Sequence, residues 1–181
     1  MQISETSKIA CARVAGFTFL FYIVAGITSM SLGKDAKLTD LLLLSQSFSA
    51  LVLGVTLFAL TYQQGFVIAL FALTCRIAES IQYGESAIYF SMASFIFSWL
   101  LLRGKLIPTW LAQLGVIASA LLVIILPLQL AGLFGEAISW ASSITWLIWL
   151  PMLAFEVTLA FWLMIKGVSV GQIERPIPTS I

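Results

Sequence analysis

Long apolar stretches alternate with short polar breaks along almost the whole chain. We predict membrane-spanning helices over residues 14–30, 38–62, 66–83, 87–102, 108–129 and 144–165. About 20 apolar residues in a helix cross a hydrocarbon core about 30 Å thick, and these runs are close to that length. The breaks hold glycine beside charged or polar residues, which is typical of turns. The pattern predicts an all-α, six-span transmembrane helical bundle forming a single integral membrane domain over residues 1–181.

The composition supports a membrane protein and excludes several classes of partner. Hydrophobic residues make up 61% of the 181 residues and charged residues 9%, with a mean hydropathy of +1.07. An ordinary soluble domain carries roughly 25% charged residues, so this chain has too few to cover a water-exposed surface. The formal net charge of +1 provides no basic surface for a polyanion. We therefore expect the lipid bilayer as the surrounding medium and no nucleic-acid partner.

The chain also lacks the residues that most metal and cofactor sites require. It contains no histidine, which excludes histidine-ligated haem, copper or zinc and histidine acid–base chemistry. Its two cysteines are Cys11, near the start of the first span, and Cys75, inside the third, and both are expected to be buried thiols. We predict no metal site and no cofactor.

The distribution of lysine and arginine predicts the orientation in the membrane. These residues are retained on the cytoplasmic side when they flank short loops. If the N-terminus is inside, the inner flanks carry six of them: Lys8, Arg13, Arg103, Lys105, Lys166 and Arg175. The outer flanks carry Lys34 and Lys37. Both termini are thus expected to be cytoplasmic.

Three charged residues lie deep inside predicted spans, away from the span ends. Arg76 and Glu79 fall in the third span and Glu156 in the sixth. A charged side chain at the centre of a membrane helix costs about 2.5 to 3.5 kcal/mol on insertion scales, so each needs a partner or water. A spacing of three residues places Arg76 and Glu79 on neighbouring positions of one helix face. We predict that these two residues form an ion pair.

Glu156 does not fit the same explanation. On its own helix no cation lies nearer than Lys166, ten positions on, while Arg76 is expected at a similar depth. We expect Glu156 either to reach Arg76 or to hold a proton. Pro151 should leave the carbonyl of Leu147 without its helical donor and kink the helix near Glu156. Buried charges can serve only to hold helices together. A pair of opposite charges is enough for that purpose, and Glu156 is a third charge at a similar depth.

Uncharged polar residues suggest where a ligand would enter. Gln46, Ser80 and Ser94 lie in the outer halves of spans two, three and four in the predicted orientation. We therefore predict a polar cavity that opens outward between spans two, three, four and six, with these three residues as lining and the three charges at its floor. Small-residue packing between membrane helices explains the serines almost equally well.

Several short, ordered motifs resemble a known family. They are Ala12-Arg13-Val14-Ala15-Gly16, Arg76-Ile77-Ala78-Glu79, Leu106-Ile107-Pro108 with Trp110-Leu111 and Gly115, and Glu156 followed by Leu159-Ala160, Trp162-Leu163 and Lys166-Gly167. From about Ala12 to Val168 the chain resembles the bacterial integral membrane family called domain of unknown function 4386. The resemblance implies a multi-pass protein of the inner or plasma membrane of a bacterium, and brings no established activity.

Three functions remain open at this point. The first is binding or moving a small amphipathic or anionic ligand, with Arg76, Glu79 and Glu156 as ligand-binding or proton-handling residues. The second is a structural or accessory subunit, in a homo-oligomer or beside another membrane protein, that associates through small residues such as Gly16 and Gly26. The third is a small intramembrane enzyme acting on a lipidic substrate. No activated nucleophile and no phosphate-binding loop supports the third, so catalytic residues stay unassigned.

Overall fold

The predicted all-α fold is confirmed. The computed structural model describes residues 5–32, 37–81, 86–133 and 143–169. Every regular element in these ranges is helical: α1 (Glu5–Leu32), α2 (Lys37–Thr61), α3 (Phe66–Ile81), α4 (Ser86–Arg103), α5 (Thr109–Leu130) and α6 (Ser143–Ile165), with a single 3-10 turn (Tyr62–Gln64) before α3. The predicted third span extends to Tyr83, and the orientation argument uses Lys34 and Arg175; these three residues lie outside the described ranges.

The six helices form a closed ring. Each packs against its neighbours in the sequence, and α6 completes the ring by packing against α1, while α2 also touches α4 behind the shorter α3. Short connections make consecutive helices antiparallel. We call the end of the ring where α2, α4 and α6 begin the upper end, and the opposite end the lower end. Which of these ends faces the cytoplasm stays a prediction.

Five of the helices are long and apolar enough to cross a membrane. They are α1, α2, α4, α5 and α6. The described part of α3 has 16 residues, about 24 Å at 1.5 Å per residue, which is shorter than a typical hydrocarbon core. The chain is therefore a multi-pass membrane protein with a six-helix fold in which α3 is the shortest member.

The apolar side chains divide between the ring interior and its lipid-facing surface. Leucines such as Leu53, Leu100 and Leu122 are fully buried and pack into one continuous core. Other large side chains point outward, among them Val67 and Leu147, each more than two thirds exposed. In water such a surface would drive aggregation, whereas in a bilayer it contacts acyl chains. The two-sided apolar pattern thus fits a membrane helix bundle.

Gly16 and Gly26, the small residues considered for association with a partner, pack against neighbouring helices of the ring. A methyl group at Gly16 would lie 2.6 Å from the carbonyl oxygen of Ala160, so α1 and α6 are in close contact there. Gly26 similarly faces Gln46 of α2. Close approach at small residues is a common way to pack membrane helices. Gly16 and Gly26 are therefore not available to a partner protein.

Gly54 brings α2 against Arg76, and replacing it with alanine should destabilise the protein. The new methyl group would lie 2.8 Å from Cβ of Arg76, an atom that cannot move unless α3 moves. Overpacking costs about 1 to 3 kcal/mol, more than the roughly 1 kcal/mol that alanine gains over glycine in a helix. We expect Gly54→Ala to lower the melting temperature in detergent micelles.

Gly26→Ala is the matched control for that substitution. Its methyl group would lie 3.1 Å from Nε2 of Gln46, the far end of a flexible side chain. Because Gln46 can swing aside, we expect no loss of stability. If both alanine variants melt like the parent protein, the close packing of Gly54 on Arg76 is not a stability determinant.

Candidate functional site

A buried polar network joins three helices in the middle of the bundle. Nη1 of Arg76 donates a hydrogen bond to Oε2 of Glu79 at 2.9 Å, which is the predicted ion pair. Nη2 of Arg76 donates to Oγ of Ser94 on α4 at 3.1 Å. The hydroxyl of Tyr22 on α1 donates to Oε1 of Glu79 at 2.8 Å. We call Tyr22, Arg76, Glu79 and Ser94 the Arg76 network.

Aromatic rings cover the guanidinium of Arg76. Its Cζ atom lies 4.9 Å from the centroid of the Phe90 ring, within the range of a cation–π contact. Phe90 stacks in turn on Tyr22, with 6.3 Å between ring centroids. It also contacts Trp149 of α6 in a tilted arrangement, with 5.5 Å between ring centroids. Arg76 is only 1% exposed and Glu79 6%. The ion pair is thus enclosed by its own partners and by these rings.

Glu156 lies near this network without joining its hydrogen bonds. It is nine residues from the end of α6 and Arg76 ten from the start of α3, so both lie about 14 to 15 Å from the lower end. In the described part of the chain no hydrogen bond or ion pair links Glu156 to Arg76, and the buried Oε1 of Glu156 has no hydrogen-bond partner. Nε of Arg76 is likewise buried without a partner. Of the two alternatives expected for Glu156, the direct bond to Arg76 is not formed, and the protonated carboxyl group stays a prediction.

The helix around Glu156 continues through its proline. α6 remains helical from Ser143 to Ile165 with Pro151 inside it. Proline has no N–H group, so the carbonyl of Leu147 receives no helical hydrogen bond from position 151. The helix is thus not broken at Pro151, and the kink expected near Glu156 stays a prediction.

A cavity of about 540 Å³ opens at the upper end between α1, α2, α4 and α6. Its volume lies in the range of small-molecule sites. Aromatic side chains form much of its wall: Tyr22, Phe90, Trp146 and Trp149. Aliphatic residues supply most of the rest, and Gln46 and Glu156 are among its few polar side chains. The cavity is therefore mainly apolar, with a carboxyl group in its lining.

This cavity corrects the one predicted from the sequence. Gln46 and Glu156 line it as expected, but Arg76, Glu79 and Ser94 do not, because their polar atoms bond to one another behind Phe90 and Tyr22. Ser80 is also absent from the lining and donates to the carbonyl of Ile77 on its own helix. The cavity involves α1, and α3 contributes no lining residue. The three predicted charges are thus divided between a buried network and a cavity wall.

Tyr22 is the member of the site that the sequence reasoning missed. Tyrosine in a membrane protein most often marks an interface, whereas Tyr22 lies well inside the first apolar stretch. A tyrosine at that depth needs a hydrogen-bond acceptor, and this was the signal available in the sequence.

Among the described residues, no group of three or more Cys, Asp or Glu side chains is arranged to hold a metal ion.

Tyr22→Phe should destabilise the protein by about 1 to 3 kcal/mol, because Glu79 would lose one buried donor. The ring would still stack on Phe90, so the loss should be confined to the hydroxyl group. Unfolding in mixed detergent micelles measures this difference. Tyr89→Phe is the control, since the structure gives the Tyr89 hydroxyl no hydrogen bond among the described residues; equal losses in both variants would contradict a specific role for Tyr22.

Comparison with known proteins gives one match. The family model described as "Domain of unknown function (DUF4386)" matches residues 82–167, so the resemblance expected from the sequence is confirmed over that part of the chain. The matched region contains Phe90, Ser94 and Glu156 but begins after Tyr22, Arg76 and Glu79. No significant match is found among curated proteins or among solved structures.

Proposed function

We propose that this membrane protein binds a small amphipathic molecule in the upper-end cavity. The observation that carries the proposal is the cavity itself: about 540 Å³ of space with aromatic and aliphatic walls that also contain Glu156. Binding sites for small molecules are typically apolar concavities with a few polar groups that orient the ligand. An apolar tail would contact the walls, and a polar head would reach Glu156 or Gln46.

The Arg76 network supports this proposal as a scaffold and not as a binding group. Arg76 already contacts Glu79, Ser94 and the Phe90 ring. An anionic head group at Arg76 would have to displace Glu79 and pass the aromatic rings. These contacts disfavour an anionic ligand at Arg76, and we propose that the network holds α1, α3 and α4 together beside the cavity.

A brominated long-chain alcohol tests the proposal. Bromine quenches tryptophan fluorescence on contact, and Trp146 and Trp149 line the cavity. We expect 11,12-dibromododecanol to quench the parent protein with saturation, and to quench much less after Ala87→Phe, which fills the cavity from α4. Ala154→Phe is the matched control, because Ala154 is exposed on the lipid-facing side of α6.

Removing the cavity tryptophans completes this experiment. The double variant Trp146→Phe, Trp149→Phe should lose the saturable component and keep the weak quenching that comes from alcohol dissolved in the micelle. Identical quenching in the parent protein and in Ala87→Phe would refute the proposal that the cavity binds amphipathic molecules.

A further inference from the structure

We propose that the ligand of the upper-end cavity carries a protonated amine and that the carboxylate of Glu156 is its binding partner. The inference rests on the proposed function, because the tail of such a ligand occupies the cavity. It adds the chemical class of the head group. It also gives a role to Glu156, an intramembrane charge that lies outside the Arg76 network.

The position of Glu156 is the first support. The residue lines the cavity and is only 5% exposed, yet its buried Oε1 has no hydrogen-bond partner. A buried carboxyl oxygen without a partner is costly. An ammonium group that enters the cavity supplies the missing donor and a charge-assisted hydrogen bond.

The balance of charge around Glu156 is the second support. Among the described residues, the ionisable side chains close enough to interact electrostatically with Glu156 are Tyr22 from α1 and the pair Arg76 and Glu79 from α3. The other helix that packs on α6 is α5, and its sequence contains no ionisable residue. Arg76 and Glu79 neutralise each other, so an ionised Glu156 leaves this layer with one uncompensated negative charge. A monovalent cation restores neutrality, whereas an anion adds to the imbalance.

Binding of the amine at Glu156 should depend on pH. An isolated carboxylate in apolar surroundings is neutralised either by a proton or by a cation. The amine and the proton therefore compete for Glu156. Amine affinity should rise with pH until Glu156 is fully ionised and then level off, and it should fall only when the amine itself loses its proton, near pH 10 by analogy with lysine.

Matched alcohol and amine probes test the inference. 11,12-Dibromododecanol and 11,12-dibromododecylamine have the same tail and differ in the head group. At pH 8 we expect the parent protein to bind the amine about tenfold or more tightly than the alcohol, as a charge-assisted hydrogen bond allows. Glu156→Gln should abolish this preference, and a cooperative melting transition like that of the parent protein shows that the variant is folded.

The outcomes separate this inference from the proposed function. Saturable binding of both probes without a preference for the amine overturns the amine inference and leaves the cavity proposal standing. Failure of both probes to bind overturns the cavity proposal. If Glu156→Gln does not fold, the pH series on the parent protein decides: amine affinity that does not change between pH 6 and pH 9 refutes the competition at Glu156.

Reconstitution distinguishes the two sources of an amine. The head group could belong to a free amphiphile or to a lipid such as phosphatidylethanolamine. Amine affinity is compared in nanodiscs of phosphatidylcholine alone and of phosphatidylcholine with phosphatidylethanolamine. Weaker amine binding in the second bilayer identifies the lipid head group as a competitor, and equal binding assigns the site to a free amine.

Discussion

Arg76→Met is expected to destabilise the protein by about 3 to 5 kcal/mol, the usual loss when one partner of a buried ion pair is removed. Glu79 would keep the hydroxyl of Tyr22 as a donor but would lose its only ion-pair partner among the described residues. The Phe90 ring would lose its cation contact. Unfolding of parent and variant in mixed detergent micelles gives the difference in free energy.

The double variant Arg76→Met, Glu79→Gln separates loss of the pair from loss of packing. Glutamine keeps an oxygen that can accept from Tyr22 and removes the uncompensated charge. Because a buried ion pair often contributes little relative to well-packed neutral residues, we expect the double variant to recover most of the lost stability. A double variant as unstable as Arg76→Met would contradict the view that the two charges act mainly on each other.

Glu156→Met is expected to have the opposite effect and to stabilise the protein. It replaces a buried carboxyl group that has an unpartnered oxygen with an apolar side chain of similar length. Relief of an unsatisfied buried polar group is worth about 1 to 3 kcal/mol. The same variant should lose its preference for the brominated amine. A gain in stability with a loss of binding is the behaviour of a residue kept for function.

The comparison of Glu156→Met with Arg76→Met tests the division of the charges into two roles. Both substitutions introduce methionine at a similar depth, so both replace a buried charge with the same apolar side chain. If Glu156→Met destabilises the protein as strongly as Arg76→Met, Glu156 is a structural group, and its place in the cavity lining has no bearing on ligand binding.

The contacts predicted correctly from the sequence are those within one helix. The three-residue spacing of Arg76 and Glu79 determines their separation through helix geometry alone, and the 2.9 Å ion pair confirms it. The hydrophobic pattern likewise predicted all six helices. Helix geometry is local, so it can be read without knowledge of which helices become neighbours.

The contacts that the sequence did not predict correctly depend on how the helices are arranged in the ring. α1 closes the ring against α6 and brings Tyr22 to Glu79. Ser94 of α4 accepts a hydrogen bond from the second terminal nitrogen of the Arg76 guanidinium. These two partners satisfy groups that were expected to face a polar cavity or Glu156. The cavity is consequently mainly apolar. The hydrophobic pattern along a single helix could not show which side chains from different helices would line it.

The most direct test of the proposed amine site is a structure of the protein with the brominated dodecylamine bound. We expect the bromine signal in the cavity, the amine nitrogen about 2.7 to 2.9 Å from a carboxylate oxygen of Glu156, and the Arg76–Glu79 pair intact. An amine nitrogen away from Glu156, or bromine only on the lipid-facing surface, would contradict the assignment of Glu156 as the ligand-binding group.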